Sequence, residues 1–157
     1  MNIRFATTAD TGGCLAVYAE YMDTVITFET ALPSHEEFAG RIRSYGAVYP
    51  WLVAEEDGVI LGYAYAHRAQ ERAAYDWNAE LSVYLAKRAA GRGLGTKLYG
   101  ALLALLQKQG VRNVYGIVTL PNPASEALHR AFGFHIVGAY DRSGYKNGRW
   151  LDVGIFE

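Results

Sequence analysis

One strand–helix–strand segment constrains the fold more than any other part of the sequence. It begins with a β-prone run at 79–86 (AELSVYLA) and passes through a glycine-rich, basic turn at 87–97 (KRAAGRGLGTK). Leucine and aromatic residues then recur at helical spacing as far as Gly110, and a second β-prone run, VYGIVT, follows at 114–119. This order predicts a βαβ crossover, in which the two strands are parallel neighbours. The glycine-rich turn then lies at the carboxyl end of the first strand, where ligands commonly bind in such units.

The remaining segments predict a mixed α/β fold in which most of the sheet is antiparallel. Asp57-Gly58 separates two β-rich runs and indicates a hairpin, and Ser34 followed by Glu37 is a capping-box pattern that opens a helix. The predicted elements outside the crossover are an opening strand at 3–7, helices at 8–22 and 35–45, hairpin strands at 51–56 and 59–68, a short helix at 124–131, and two closing strands around the turn 146–148. We therefore expect the class α/β (α+β mixed), with one βαβ crossover.

Length and composition predict one globular domain over residues 1–157 and exclude several classes of function. The chain is 51% apolar and 20% charged, and it contains no repeat or low-complexity linker, so it can build one ordinary core. Because 15 basic residues nearly balance 16 acidic ones, we expect no nucleic-acid partner. No apolar run reaches the roughly 18 residues that span a bilayer, so we expect no membrane partner.

The cysteine and histidine content bears on compartment and metal binding. The single cysteine, Cys14, excludes an intrachain disulfide and suits a reducing compartment. The first ten residues, MNIRFATTAD, lack the apolar stretch of a signal peptide, so the sequence predicts a cytoplasmic protein. No two of the four histidines have metal-ligand spacing with a third partner, so we predict no metal site.

Three known patterns of phosphate-binding loop can be compared with the glycine-rich turn. A Walker loop requires a glycine before Lys97 and Ser or Thr after it, but Leu98 follows instead. The dinucleotide fingerprint G-x-G-x-x-G fits poorly because Thr96 stands where its last glycine would be. The third pattern, R-x-x-G-x-G, is met by residues 88–93 (RAAGRG). Its glycines let backbone N–H groups approach phosphate closely, and the helix N-terminus and the arginines add attraction. This pattern is the pyrophosphate loop of acyl-CoA N-acyltransferases.

Five sequence blocks extend this match over nearly the whole chain, namely YPWLVAEEDG, AYDWNAELSVYL, GRGLGTKLYGALL, LPNPASEALHRAFGF and GYKNGRWLDVG. In these blocks the chain resembles the GCN5-related N-acetyltransferases, in particular their phosphinothricin or methionine sulfoximine acetyltransferase branch. The resemblance implies a GNAT-type three-layer fold, with a central, mostly antiparallel sheet of about seven strands and helices on both faces. It further implies that acetyl-CoA is the acetyl donor and that the protein is a homodimer.

The implied reaction is direct attack of a substrate amine on the acetyl-CoA thioester. The acceptor would be the α-amino group of a small amino-acid-like molecule, such as phosphinothricin, methionine sulfoximine or methionine sulfone. Glu80, in an otherwise apolar and aromatic strand just before the glycine-rich turn, is the expected general base. His129 stands where the wider superfamily usually has a tyrosine as proton donor to the thiolate, and the phosphinothricin branch has histidine there. We therefore expect Glu80 and His129 to be the catalytic residues.

The resemblance assigns acetyl-CoA contacts to three segments. Backbone groups of residues 83–85 would contact the pantetheine amides in the manner of an added strand, and one N–H there would polarise the thioester carbonyl. The glycine-rich turn would hold the pyrophosphate, and the start of the short helix would contact the pantetheine arm. The expected cofactor-binding residues are Val83, Tyr84, Leu85, Arg88, Gly91, Arg92, Gly93, Leu94, Gly95, Thr96, Asn122 and Ser125.

The resemblance also indicates where the acceptor binds. Arg72 and Lys146 would supply positive charge for an acidic substrate, and Phe28 and Tyr75 would form walls of its pocket. The chain departs from the branch at Gln70, where a further basic residue is usual, so the preferred head group stays open. Two alternatives follow: an N-acetyltransferase for another small amine or a peptide amine, or a non-catalytic acyl-CoA-binding module.

Overall fold

The computed structural model describes all 157 residues, and its helices and strands follow the predicted order. The elements are β1 (Asn2–Phe5), α1 (Thr11–Ala19), α2 (His35–Gly46), β2 (Trp51–Glu56), β3 (Val59–Arg68), β4 (Asn78–Leu85), α3 (Leu94–Gln109), β5 (Asn113–Leu120), α4 (Pro123–Ala131), β6 (Ile136–Lys146) and β7 (Arg149–Phe156). The predicted capping box opens α2, since the Ser34 side chain accepts from the Glu37 N–H and the Glu37 carboxylate accepts from the Ser34 N–H.

The seven strands form one sheet in the order β1-β2-β3-β4-β5-β7-β6. Only β4 and β5 pair in parallel, and every other neighbouring pair is antiparallel. The chain from β4 through α3 to β5 is the single βαβ crossover, as the sequence predicts. The predicted fold class is therefore confirmed.

Helices cover both faces of the sheet, because successive strand residues point to opposite sides. On one face, Tyr18 of α1 and Phe38 of α2 pack edge-on against Tyr84 and Tyr63. On the other face lies α3, where a Cβ at Gly95 would lie 3.3 Å from the Leu85 side chain. The helix α4 shares this second face. None of the helices is both long and apolar enough to cross a membrane.

The first predicted helix, 8–22, is shorter in the structure. A 3-10 turn occupies Thr8–Asp10, and the α-helix proper ends at Ala19. Beyond it, the N–H of Tyr21 donates to the Tyr18 carbonyl, which is the tighter bonding of a turn. The Tyr21 hydroxyl donates to the Leu85 carbonyl of β4, and this contact anchors the turn to the sheet.

Candidate active site

A gap between β4 and β5 is the central feature of the site. Their parallel ladder runs only from Asn78 with Asn113 to Leu81 with Gly116. Beyond Leu81, β4 continues against β3 alone, and beyond Gly116, β5 continues against β7 alone. The two strands separate, so the facing backbone edges of 82–85 and 117–120 have no strand partner between them. The resulting cleft is lined by Ile26, Leu81, Ser82, Val83, Tyr84, Tyr99, Gly116, Ile117, Val118, Thr119, Asn122, Ser125 and His129.

The glycine-rich turn lies at the carboxyl end of β4 and ends where α3 begins. Gly91 and Gly93 have φ of +76° and +70°, a backbone region that residues with a Cβ rarely adopt. No atom lies within 4 Å of where a Cβ would stand at either position, so the turn faces open space. None of the backbone N–H groups from Gly91 to Thr96 donates to a backbone carbonyl. These free donors and the positive end of the α3 dipole together form a site for an anion.

The two arginines of the turn point to different neighbours. Arg92 forms an exposed ion pair with Glu56 at 3.1 Å. Arg88 lines a separate groove of about 690 Å³ between α1 and the β2–β3 hairpin, together with Lys87 and Glu20. Neither arginine lines the cleft between β4 and β5. Their predicted contact with a pyrophosphate stays a prediction.

His129 is buried at the cleft with both ring nitrogens engaged. Nδ1 lies 2.7 Å from the carbonyl oxygen of Ser125, and Nε2 lies 2.9 Å from the hydroxyl of Tyr99. A carbonyl only accepts, so Nδ1 carries the proton and Nε2 accepts the Tyr99 O–H. Burial lowers the pKa of His129, and burial likewise raises the pKa of Tyr99. Both groups are therefore neutral near pH 7.

Asn122 and Ser125 start α4 at the edge of the same cleft. The Asn122 side-chain oxygen accepts from the Ser125 N–H at 3.2 Å and caps the helix, with Pro123 in its first turn. This bond uses the oxygen of the Asn122 amide and leaves its NH₂ group as a donor at the cleft. The structure therefore brings Asn122, Ser125 and His129 together with Val83 and Tyr84, as the sequence analysis expects.

Glu80 and His129 lie on opposite faces of the sheet. Glu80 is opposite His67 of β3 and Tyr115 of β5, so its side chain shares a face with α1 and α2. Leu81 and Gly116 point to the other face, where His129 packs against Gly116. Glu80 is half-buried and has 27% of its side-chain surface exposed. A molecule that passes through the gap would thus meet Glu80 on one face and His129 on the other.

Phe28 and Lys146 lie together outside the cleft. The ring of Phe28 packs directly on the backbone of Gly144 in β6. The buried Lys146 ammonium donates to the carbonyls of Met22 at 2.9 Å and Thr27 at 2.8 Å. Lys146 therefore fixes the segment between α1 and α2, and one of its three N–H groups remains for another partner.

Arg72 and Tyr75 lie in the connection that leads from β3 into β4. Tyr75 ends a short 3-10 turn, Ala73–Tyr75, and is 41% exposed. The Arg72 side chain has no ion-pair partner within the chain. Neither residue lines the cleft, so a contact with the acceptor stays a prediction for both of them.

Comparison with known proteins identifies this arrangement. The acetyltransferase (GNAT) domain model matches residues 3–155. The chain belongs to the GNAT acetyltransferase family. It is 38% identical over 158 residues to the phosphinothricin N-acetyltransferase of Streptomyces viridochromogenes, covering 100% of this chain and 86% of that protein. It is 35% identical to the L-methionine sulfoximine/L-methionine sulfone acetyltransferase of Pseudomonas paraeruginosa, covering 99% and 92%.

A solved structure extends the match to the fold. The GNAT superfamily phosphinothricin acetyltransferase of Sinorhizobium meliloti, determined in complex with acetyl-CoA, superposes with a TM-score of 0.95 at 35% identity, covering 99% of this chain and 85% of that one. The chain is thus an N-acetyltransferase with the GNAT fold. Acetyl-CoA is the acetyl donor of GNAT enzymes. The free N–H groups of the glycine-rich turn suit its pyrophosphate, and the unpaired strand edges suit its pantetheine amides.

Two neighbours of the expected catalytic residues, Tyr99 and His67, could not be predicted from the sequence. Tyr99 lies within α3 at helical spacing with leucines, so the pattern indicates a core residue. The pattern gives no sign of the hydrogen bond between Tyr99 and His129. His67 ends a β-rich run, and only the strand register shows that it lies opposite Glu80. No group of three or more His, Cys, Asp or Glu side chains converges as a metal site would require.

Proposed function

We propose that this protein transfers an acetyl group from acetyl-CoA to the α-amino group of a small amino-acid-like substrate of the phosphinothricin, methionine sulfoximine or methionine sulfone type. The observation that carries the proposal is the gap between β4 and β5, with Glu80 on one face and the glycine-rich turn at the end of β4. Full-length similarity to relatives with these two substrate classes supports the acceptor class.

In this proposal the donor lies along the second face, and its thioester reaches through the gap. Gly91, Gly93, Leu94, Gly95 and Thr96 bind the pyrophosphate through backbone N–H groups, which have no backbone acceptor of their own. Val83, Tyr84 and Leu85 offer their free strand edge to the pantetheine arm, and Asn122 and Ser125 contact it from α4. Arg88 and Arg92 would turn from their present neighbours to add charge-assisted bonds.

Glu80 accepts a proton from the acceptor amine, which then attacks the thioester carbonyl directly. The carboxylate suits this role because Glu80 lies one residue before the last residue of β4 that pairs with β5, and its side chain is on the face opposite α3. On the other face the departing thiolate takes a proton from the Tyr99 hydroxyl, which is bonded to Nε2 of His129, and the second proton of the substrate ammonium restores that hydroxyl. Since Nε2 already accepts the Tyr99 O–H, Tyr99 and His129 act there as a hydrogen-bonded pair.

The acceptor pocket lies on the Glu80 face, between the α1–α2 segment and the β3–β4 connection. Arg72 and Tyr75 approach it from that connection, and Phe28 from the α1–α2 segment. Lys146 supports the pocket by holding that segment, with its remaining N–H directed to an acidic substrate.

We further propose that residues 1–157 form a single domain and that the protein is a cytoplasmic homodimer. One core of 26 buried residues and one continuous sheet support the single domain. The neighbouring rings of Tyr145 and Trp150, tilted by 54° to each other and about 60% exposed on the closing hairpin, support an interface there. The single buried thiol of Cys14 is compatible with a reducing compartment.

A screen of free CoA thiol release tests the function. The purified protein is mixed with acetyl-CoA and with phosphinothricin, methionine sulfoximine, methionine sulfone, each standard amino acid, or a set of small amines and N-terminal peptides. The highest kcat/KM is expected for the first three. Preference for an amine or a peptide would instead favour the wider N-acetyltransferase alternative. Acetyl-CoA binding without turnover of any acceptor would favour a non-catalytic binding module.

A Glu80→Gln variant tests the catalytic assignment. The amide keeps the size of the side chain but cannot act as a base, so kcat/KM should fall by about 10²–10⁴-fold. Acetyl-CoA binding, measured by calorimetry, should be unchanged. Wild-type turnover in this variant would refute Glu80 as the base while leaving the substrate assignment in place.

A further inference from the structure

His67 and Glu80 form a cross-strand pair on the acceptor face of the sheet. The two residues are directly opposite each other in the β3–β4 ladder. Nε2 of His67 lies 3.6 Å from Oε1 of Glu80, and the side chains are 24% and 27% exposed. His67 thus lies within ion-pair distance of the proposed base, and it still reaches solvent.

The other ring nitrogen of His67 is fixed by the backbone. Nδ1 lies 2.9 Å from the Arg68 carbonyl oxygen, which can only accept, so Nδ1 carries a proton permanently. The ring also packs against both Tyr45 and Tyr65, with centroid distances of 5.2 and 6.0 Å. Protons therefore enter and leave His67 at Nε2, the atom that faces Glu80.

The groups around the ring define its charge. Tyr45 faces it from α2, Tyr65 from its own strand, and Glu80 from β4; beyond Glu80 lies Tyr115 of β5. No cationic side chain faces the ring from these elements. Burial disfavours the imidazolium, but the Glu80 carboxylate and the Arg68 carbonyl outweigh burial, and the pKa of His67 is raised. The pair therefore favours a proton on Nε2 more than an isolated imidazole does.

The reaction requires a path for protons away from Glu80. An acceptor that arrives as an ammonium carries two protons more than the amide nitrogen of the product keeps. One of them ends on the CoA thiol, so each turnover releases one net proton to solvent. Glu80 receives that proton beneath the bound acceptor and must lose it before the next cycle. His67 lies within reach of Glu80 and has 24% of its side-chain surface exposed, so it provides an exit.

We propose that His67 is a positioning residue for Glu80 that orients the carboxylate and carries its proton to solvent through Nε2. The inference rests on the proposed role of Glu80 as the base. The amine N–H bond breaks and an O–H bond forms on Glu80. The imidazolium, beside a carboxyl group that is now neutral, releases its Nε2 proton to water. The Glu80 proton then moves to Nε2 and restores the ionised base.

Two variants of His67 test the relay. His67→Gln retains a polar side chain but cannot carry a proton, and His67→Ala leaves space for a small base. In both, kcat/KM should fall by about 10-fold, at the low end of acid–base effects, with acetyl-CoA affinity unchanged. Free imidazole should restore the activity of His67→Ala in proportion to the neutral imidazole present. His35→Gln, an exposed histidine in the first turn of α2, is the matched control and should behave as wild type.

The outcomes separate this inference from the function on which it rests. A low activity of His67→Ala that imidazole does not restore, or a wild-type pH profile of kcat/KM in His67→Gln, overturns the relay. If the relay is overturned by either result while Glu80→Gln is inactive, Glu80 remains the base and only the role of His67 is refuted. A second measurement leaves position 67 unchanged and follows the titration of the His67 imidazole by NMR. The titration midpoint of His67 should move to lower pH in Glu80→Gln, and an unchanged midpoint contradicts the pairing.

Discussion

The imidazole of His129 lies against the backbone of Gly116, so closely that a Cβ at position 116 would overlap Nε2 and lie 2.7 Å from Cδ2. Gly116 is also the last residue of β5 that pairs with β4. The absence of a side chain there lets a helix on one face bring its histidine to the point where the sheet opens. The position of His129 beside the opening between β4 and β5 therefore depends on one glycine.

Substitution of Gly116 by alanine should displace His129. The ring is buried among Tyr99, Phe134 and Phe156 and has no space to retreat, so the overlap should cost about 1–3 kcal/mol of unfolding free energy. Chemical denaturation measures that loss, and kcat should fall with it. Gly138→Ala is the control, because a Cβ there would lie 4.0 Å from Ile155 and cause no overlap. Equal stability of the two variants would contradict the packing argument.

The glycine-rich turn predicts a selective loss of donor binding. Gly93→Ala places a methyl group among the free N–H donors and strains a residue at φ +70°, at a cost of about 1 kcal/mol. The KM for acetyl-CoA should rise several-fold while the KM for the acceptor stays constant. Gly133→Ala, at φ +84° and equally free of neighbours, carries the same strain away from the turn. If both variants raise the KM for acetyl-CoA alike, the turn does not bind the donor.

Lys146 should matter for stability as well as for substrate. Lys146→Met leaves the buried carbonyls of Met22 and Thr27 without a donor, which should cost about 2 kcal/mol in total. A thermal melt should then show a decrease of about 4–8 °C. The KM for the acceptor should rise because the α1–α2 segment loses its anchor. Lys108→Met, an exposed site on α3, serves as the control, and an equally small shift in both variants would exclude the anchoring role.

The neutral, buried His129 predicts a pH dependence of stability. Burial lowers its pKa below the ordinary 6.5, so the unfolded chain binds more protons below that value. The contribution of neutral His129 to the free energy of unfolding is complete above pH 6.5 and is lost as the pH falls through the folded-state pKa. The free energy of unfolding then changes by at most about 1.4 kcal/mol per pH unit. His67 has the opposite sign, because its raised pKa stabilises the fold below pH 6.5.

Urea denaturation between pH 5 and 8 isolates the contribution of His129 to the free energy of unfolding. The difference in unfolding free energy between wild type and His129→Leu should grow smaller as the pH falls below 6.5. His67 is present in both proteins, so its opposite contribution cancels. A constant difference across this range would mean that His129 is not held neutral in the fold.

The crossover could be predicted from sequence because its information is local. The alternation in 79–86, the glycine spacing in 88–93 and the helical spacing after Leu94 each lie within a short window, and the structure reproduces all three. The hairpin at Asp57-Gly58 is equally local, since two residues determine the turn.

The arrangement of the site depended on contacts that no short window contains. Glu80 and His67 meet only through the register of β3 against β4, and a shift by one residue would turn Glu80 to the other face. Tyr99 and His129 lie 30 residues apart on different helices. A leucine-rich pattern classifies Tyr99 as core, and only the packed fold shows where its hydroxyl points.

The opening of the sheet also means that the two proposed binding sites are built from different elements of the chain. The donor turn, α3 and α4 occupy one side, whereas the α1–α2 segment and the β3–β4 connection occupy the other. Substitutions in the segments proposed to form the acceptor pocket therefore fall outside the residues proposed to hold the donor. A change of acceptor therefore requires changes only in the α1–α2 segment and the β3–β4 connection. Gln70, which stands in that connection where the resemblance leads us to expect a basic residue, is one such change.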